Sequence, residues 1–175
     1  MGQEVADDVR ERGSVADLWG RADDRAPPEG TVITSDRVFR FDADVGTVWD
    51  AIGRVEDYTR WWPWLRRCEA LGLVEGDRWV CTVSPPLPDA MTFTVTLERV
   101  EAPRRVDAVV AGDIEGRARL TLRHAGRGSE VRLVSALGPR AGPLVALTRA
   151  VPMLAGYGHD WVLDSGYRRF RRRAL

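Results

Sequence analysis

The chain has no lysine and no asparagine. All 26 of its Lys+Arg residues are arginine, set against 26 Asp+Glu, so the formal net charge is +0 at pH 7. That balance argues against a partner held by bulk charge, nucleic acid above all. The arginine-only set reads as coding bias of the kind found in GC-rich bacterial genomes. Cysteine is nearly absent as well. Cys68 and Cys81 stand alone without a CxxC spacing, so neither a disulfide framework nor a cysteine zinc site is expected. A cytoplasmic protein with free thiols is the simple reading. Histidine is limited to His124 and His159, too few and too far apart for a His-rich metal site. Neither GxGxxG nor GxxxxGK[ST] occurs, and AGRGSE has the glycines of a turn without the lysine, so no cofactor is expected. No stretch reaches about 18 consecutive apolar residues, and the N-terminal MGQEVADDVRERG lacks an apolar core, so neither a membrane span nor a secretion signal is expected.

What is present suits one domain. A chain of 175 residues can bury roughly 70% of its unfolded surface. Residues 1–30 form a separate regime of eight acids and four arginines ending in RAPPEG, and read as a flexible acidic arm. Val15, Leu18 and Trp19 are its only apolar anchors, and could form a short partner-binding helix.

From residue 31 the pattern tightens. Val38, Phe39 and Phe41 interleave with Arg37, Arg40 and Asp42 as a strand. Asp44 can cap a helix with Val45, Val48, Trp49 and Ile52 on one stripe, ended by Gly53. A second short helix, VEDYTRWW, stops at Pro63. Strands are then expected at Arg67 to Val74 and Arg78 to Val83, which would put Cys68 and Cys81 on neighbouring strands. SPPLPD forces a loop, since proline cannot sustain a ladder. Met91, Phe93, Val95 and Leu97 alternate with Thr92, Thr94, Thr96 and Glu98, giving one apolar and one polar face. Strands at 105–111, 114–124 and 130–137 follow, with Arg117, Arg119 and Arg123 making a charged outer face.

The chain ends in an amphipathic helix. His159, Val162, Leu163, Gly166 and Phe170 share one face, and five arginines crowd the last turns against the negative end of the helix dipole. A rod from Ala141 to Arg173 would be about 50 Å long at ~1.5 Å per residue, longer than a domain about 40 Å across. Pro152, Gly156 and Gly158 therefore predict a kink or break between Pro152 and Gly158, with the well-formed part at about 159–172 and a mobile gate before it. The fold class is α+β: a curved antiparallel sheet of about seven strands (β-α-α-β6-α) wrapped around a long C-terminal helix.

This order, with VEDYTRWWPWL before the second strand and GHDWVLDSGYRRF near the end, resembles the bacterial polyketide cyclase/dehydrase-like proteins of the START-like (SRPBCC, helix-grip) superfamily. The V-x-D-Y-x-x-W-x-P-x-L spacing is carried by Val55, Asp57, Tyr58, Trp61, Pro63 and Leu65. The resemblance covers residues 31–175. It implies a deep apolar cavity between sheet and helix that holds lipids, polyketides or similar molecules. Some members are enzymes and many only bind or carry. No catalytic set of the family is recognisable, and none is carried over.

Within that frame three readings stand. A binding protein would line its pocket with Trp64, Trp79, Cys81, Met91, Phe93, Val95, Leu120, Leu133, Leu147, Leu154, His159 and Val162, and take a small hydrophobic molecule as its partner. A cyclase or dehydratase would move a proton with His159 or Tyr157. An interaction module would have a filled cavity. Trp61, Trp62, Trp64 and Trp79 either plug a core or form the cavity mouth. His159 is either a satisfied core histidine or a ligand contact. The arginine tail reads as a solvated helix end.

Overall fold

The computed structural model describes residues 32–84, 90–140 and 152–175, with the backbone alone at 152–159. The elements are β1 (Ile33–Phe41), α1 (Val45–Gly53), a 3-10 turn (Val55–Asp57), α2 (Tyr58–Trp61), β2 (Leu65–Glu69), β3 (Arg78–Val83), β4 (Met91–Glu101), β5 (Arg105–Gly112), β6 (Ile114–Ala125), β7 (Gly128–Pro139) and α3 (Pro152–Arg173). The seven strands form one antiparallel sheet in the order β1-β7-β6-β5-β4-β3-β2. Strands β2 to β7 are a meander, and β1 closes against β7, so β1 and β2 are the edges. This is the α+β, helix-grip arrangement expected.

Local rules set most boundaries. Asp44 caps α1: its carboxylate accepts the Thr47 N–H at 3.1 Å and the Thr47 hydroxyl at 2.6 Å. The cap holds the first turn, and Val45, Val48 and Ala51 of that helix are buried against β6 and β7. The strand expected at 67–74 is shorter, Leu65–Glu69. Asp77 accounts for the difference. Its carboxylate collects the backbone N–H groups of Leu71 at 2.8 Å, Gly72 at 3.1 Å and Arg78 at 2.7 Å. Those donors are thereby withdrawn from the ladder, and the chain bends into a loop.

The helix needs a correction. No break separates Pro152 from Gly158; α3 runs unbroken over 22 residues. Proline opens it at a position whose N–H would have no helical partner, so the missing donor costs nothing there. At ~1.5 Å per residue the helix is about 33 Å long, which fits a domain of this size. Of the expected gate at 142–154, residues 142–151 lie outside the described residues, as do the proline loop at 85–89 and the acidic arm at 1–30; the gate's last residues, 152–154, are the first turn of α3.

Alternation gives the sheet two unlike faces. Outward, arginines and acids interlock. Asp36 accepts Arg132 through two bonds of 2.8 and 2.6 Å. Asp107 takes both Arg105 and Arg119 at 2.6 Å, and Glu130 takes Arg123 at 2.7 Å. Inward, Phe41, Leu122, Val131 and Phe170 join α1 and α2 in the main core, with Val48 fully buried. The curl of the sheet uses Gly116, at φ 146, where a Cβ would meet the Ala136 carbonyl oxygen at 2.0 Å. Only glycine fits that backbone.

Candidate functional site

A cavity of about 300 Å³ lies between the inner face of the sheet and α3. Its floor is Phe39 and Phe41 of β1, Val95 and Leu97 of β4, Val106 and Ala108 of β5, Ala118 and Leu120 of β6, and Val131 and Leu133 of β7. Its roof is Val162, Leu163, Gly166 and Phe170 of α3, from the apolar stripe read from the helix period, with Tyr167 beside them. Ile52, Tyr58, Trp62, Trp64, Leu73 and Trp79 close one side. The void has a plain cause. Ala108 and Ala118 are cross-strand partners, so the middle of the floor carries only methyl groups.

Gly166 is where the helix comes close to the tryptophan corner. A Cβ there would lie 3.6 Å from Trp64 Cζ2 and 3.7 Å from Trp62 Nε1, so its neighbours are the tryptophan pair, not the strands. Trp62 and Trp64 stack with centroids 5.7 Å apart and planes at 12°. Trp61 turns the other way into the core and packs edge-on against Phe170. The tryptophan cluster thus divides: one ring plugs the core, while Trp62, Trp64 and Trp79 wall the cavity.

Every polar atom on the lining aromatics is held by protein. Trp62 Nε1 donates to the Gly166 carbonyl at 3.0 Å and Trp64 Nε1 to Ser165 Oγ at 3.1 Å. Trp79 Nε1 donates to the Gly72 carbonyl at 3.0 Å and to Asp77 at 3.1 Å. The Tyr58 hydroxyl donates to the Ile52 carbonyl at 2.5 Å, and the Tyr167 hydroxyl to the Arg40 carbonyl at 2.8 Å. Burial pushes the Tyr58 phenol well above its ordinary range, so it stays neutral. Asp77 is shifted the other way. Desolvation opposes its ionisation, but the Leu71, Arg78 and Gly72 N–H groups outweigh it and hold the carboxyl below the usual range. Its negative charge therefore anchors the loop that carries Leu73 and Trp79 into the wall.

The expected lining residues fall into three groups. Trp64, Trp79, Val95, Leu120, Leu133 and Val162 are in the wall. Cys81, Met91 and Phe93 are not; they face the same side but pack in the adjoining core, beyond the edge of the void. Cys81 sits opposite Cys68 on β2 with the sulfurs 3.8 Å apart. The hydrogen bond between them lowers the Cys68 pKa and raises that of Cys81, which burial raises further. Leu147, and the side chains of Leu154, Tyr157 and His159, lie outside the described residues. Asp160 pairs with Arg37 of β1 at 2.7 Å, and His124 is exposed. Lining residues outside that expectation include Phe39 and Phe41, and also Tyr58, Leu73, Ala108, Ala118 and Tyr167. Alternation in β1 was the available signal for the first two; for the others only tertiary packing decides.

Residues 32–174 match the family model described as polyketide cyclase / dehydrase and lipid transport. The chain belongs to that family. Among solved structures, the family's fold is shared with the ZhuI aromatase/cyclase from Streptomyces sp. R1128, at 16% identity and a TM-score of 0.64, covering 82% of this chain and 96% of that one. Ara h 8.0201 matches at 11% identity and a TM-score of 0.62, covering 82% and 98%. Protein Ms6760 from Mycobacterium smegmatis matches at 14% and 0.57, covering 79% and 88%. No curated protein matches the chain by sequence. At such identities the structures establish the fold of this family member and leave its chemistry to its own residues. Among the described residues no helix is long and apolar enough to cross a membrane.

Proposed function

We propose that this protein binds or carries a small hydrophobic molecule in the cavity under α3. The observation that carries this reading is the wall itself: among the described residues its side chains are apolar throughout, with each aromatic N–H and O–H already spent on a protein acceptor. Such a wall gains by removing apolar surface from water and offers those donors to no one else. A ligand burying about 300 Å² of apolar surface would gain roughly 7.5 kcal/mol at ~25 cal/mol per Å². Association costs come off that figure, so micromolar affinity is the tight end of the range. The cavity volume sits at the small end of ligand pockets, which favours a compact ligand over a filled interaction module.

A cyclase or dehydratase role would require a side chain able to move a proton into this space. The side chains of Tyr157 and His159 lie outside the described residues; the hydroxyls of Tyr58 and Tyr167 in the described wall both donate to backbone carbonyls, and that favours binding.

Native mass spectrometry of freshly purified protein, followed by solvent extraction, tests the proposal. A co-purifying apolar molecule, displaced by an apolar naphthylamine probe and lost in Leu120→Arg, is the expected result. Probe affinity unchanged by Leu120→Arg would remove the cavity as the site.

A further inference from the structure

Next to the apolar cavity, outside its lining, lie two buried serines that the core does not explain. Ser35, Arg37, Phe39 and Phe41 share the inner side of β1, and Val131, Leu133 and Ser135 share that of β7. Phe39, Phe41, Val131 and Leu133 line the cavity. Ser35 and Ser135 are direct cross-strand partners, and their row continues over Ala118, Ala108 and Leu97, all three in the cavity floor. The serines therefore continue that row past the floor at its β1–β7 end, outside the lining itself. They are 8% and 2% exposed, and neither hydroxyl has a hydrogen-bond partner. They do not bond each other. A third orphan hydroxyl, Ser129, lies six residues along β7 from Ser135, about 20 Å away, and belongs to a different place.

Buried hydroxyls nearly always find partners, because leaving one unmet forfeits its hydration without return. Two of them on cross-strand partners, in the row that continues from Ala118 beside a ligand-sized void, point to an occupant that reaches past the lining with an acceptor. Charge decides what kind. Arg37 lies between Ser35 and Phe39 on the same side of β1, and its guanidinium is already answered by Asp160 at 2.7 Å. A carboxylate placed at the serines would face two neutral hydroxyls and an ion pair with no net charge, a poor exchange for water. A ketone, aldehyde, ester or hydroxyl oxygen carries no such penalty.

We infer that Ser35 and Ser135 form a polar subsite that takes the neutral oxygen of an otherwise apolar ligand, their hydroxyls donating to it together. This rests on the cavity being a binding site, and the test separates the two claims. Decane, 2-decanone and decanoate compete against an apolar naphthylamine probe on wild-type protein and on Ser35→Ala, Ser135→Ala and the double variant. Decane displacing the probe equally from all four reports the cavity. The double variant should lose about fivefold to tenfold in decanone affinity, with each single variant losing part of it and decane unchanged. Thermal midpoints should hold or rise, since each change removes an unmet polar group. Equal losses for decane and decanone, or no loss for either, would overturn the subsite while leaving the cavity standing. A fall in thermal midpoint without change in selectivity would make the serines structural and also overturn it. Decanoate binding more tightly than decanone, and weakening in Arg37→Gln, would replace the neutral oxygen by an anion. No displacement by any of the three on wild type would overturn both claims.

Discussion

The two faces of one sheet solve opposite problems with the same strands. On the outer face, arginine and carboxylate alternate across β1, β7, β6 and β5, and each acid is met by a guanidinium. On the inner face, methyl groups at Ala108 and Ala118 leave a void that aromatics wall off on the far side. The outer face is closed by directional pairs whose strength depends on solvent. The inner face is held by packing at its ends and left empty in its middle. The difference teaches that this sheet does not depend on a filled inner face. Its helix is fastened at the C-terminal end, where Phe170 meets Phe41, Trp61 and Trp62.

That contrast can be broken hardest at the fastening. Phe170→Ala should cost about 3–5 kcal/mol in urea unfolding, because a buried aromatic leaves a cavity its rigid neighbours cannot fill. A loss below about 1 kcal/mol would show that the helix is held elsewhere.

On the outer face, Asp107→Asn should cost about 1–2 kcal/mol, between the values for exposed and buried pairs, since Arg105 and Arg119 both lose their partner. The Asp107 and Asp36 carboxyls are held below the usual range, Asp107 by both arginines against its own desolvation and Asp36 by its hydrogen bond with Arg132. Their stabilisation is therefore fully present above the unfolded carboxylate pKa of about 3.9, and is lost as pH falls through the lower folded values. Acid titrations of the wild type and of Asp107→Asn should draw together from that pH downward and converge once pH has fallen through the lower folded value. Parallel curves would assign the acid sensitivity to other carboxylates.

Ala118→Leu sharpens the inner side. In a filled core the added bulk would cost about 1–3 kcal/mol. Here it enters a void, so the change in stability should stay under about 1 kcal/mol while affinity for an apolar fluorescent probe falls at least about tenfold. A large destabilisation would mean the space cannot accept a side chain. The smallest effect is expected at Glu69, whose bridge to Arg67 is more than half exposed on both sides. Glu69→Gln should shift stability by less than about 0.5 kcal/mol, and a larger shift in thermal unfolding would argue that the β2 edge is more constrained than it looks.

Much of the fold was legible because its signals are local. Alternation in β4 and β6, the Asp44 cap, the Gly53 stop and the stripe of Val162, Leu163, Gly166 and Phe170 each depend on neighbours within a turn or a strand. The misreadings share the opposite property. Pro152 reads as a break when helix is expected on both sides of it; where the helix starts decides whether its missing N–H matters. The strand expected to run to Val74 ends at Glu69 because Asp77, several residues on, takes its donors. Phe93 and Cys81 have the alternation of cavity residues, yet lie beyond the void. The position of the void is set by Ala108 and Ala118 meeting across strands, a pairing no single strand reveals.

By itself, then, the sequence determined which residues face inward and which outward, the order of elements and the cap and stop of the first helix. Periodicity and capping act over a few residues, and the chain carries them in full. Only tertiary structure decided that the tryptophans divide between core and cavity, that their N–H groups are spent on the helix and the Asp77 loop, and that Ser35 and Ser135 stand side by side without partners. Those outcomes depend on the register of strands and on the seat of a helix more than a hundred residues away, and register is a property of the assembled sheet.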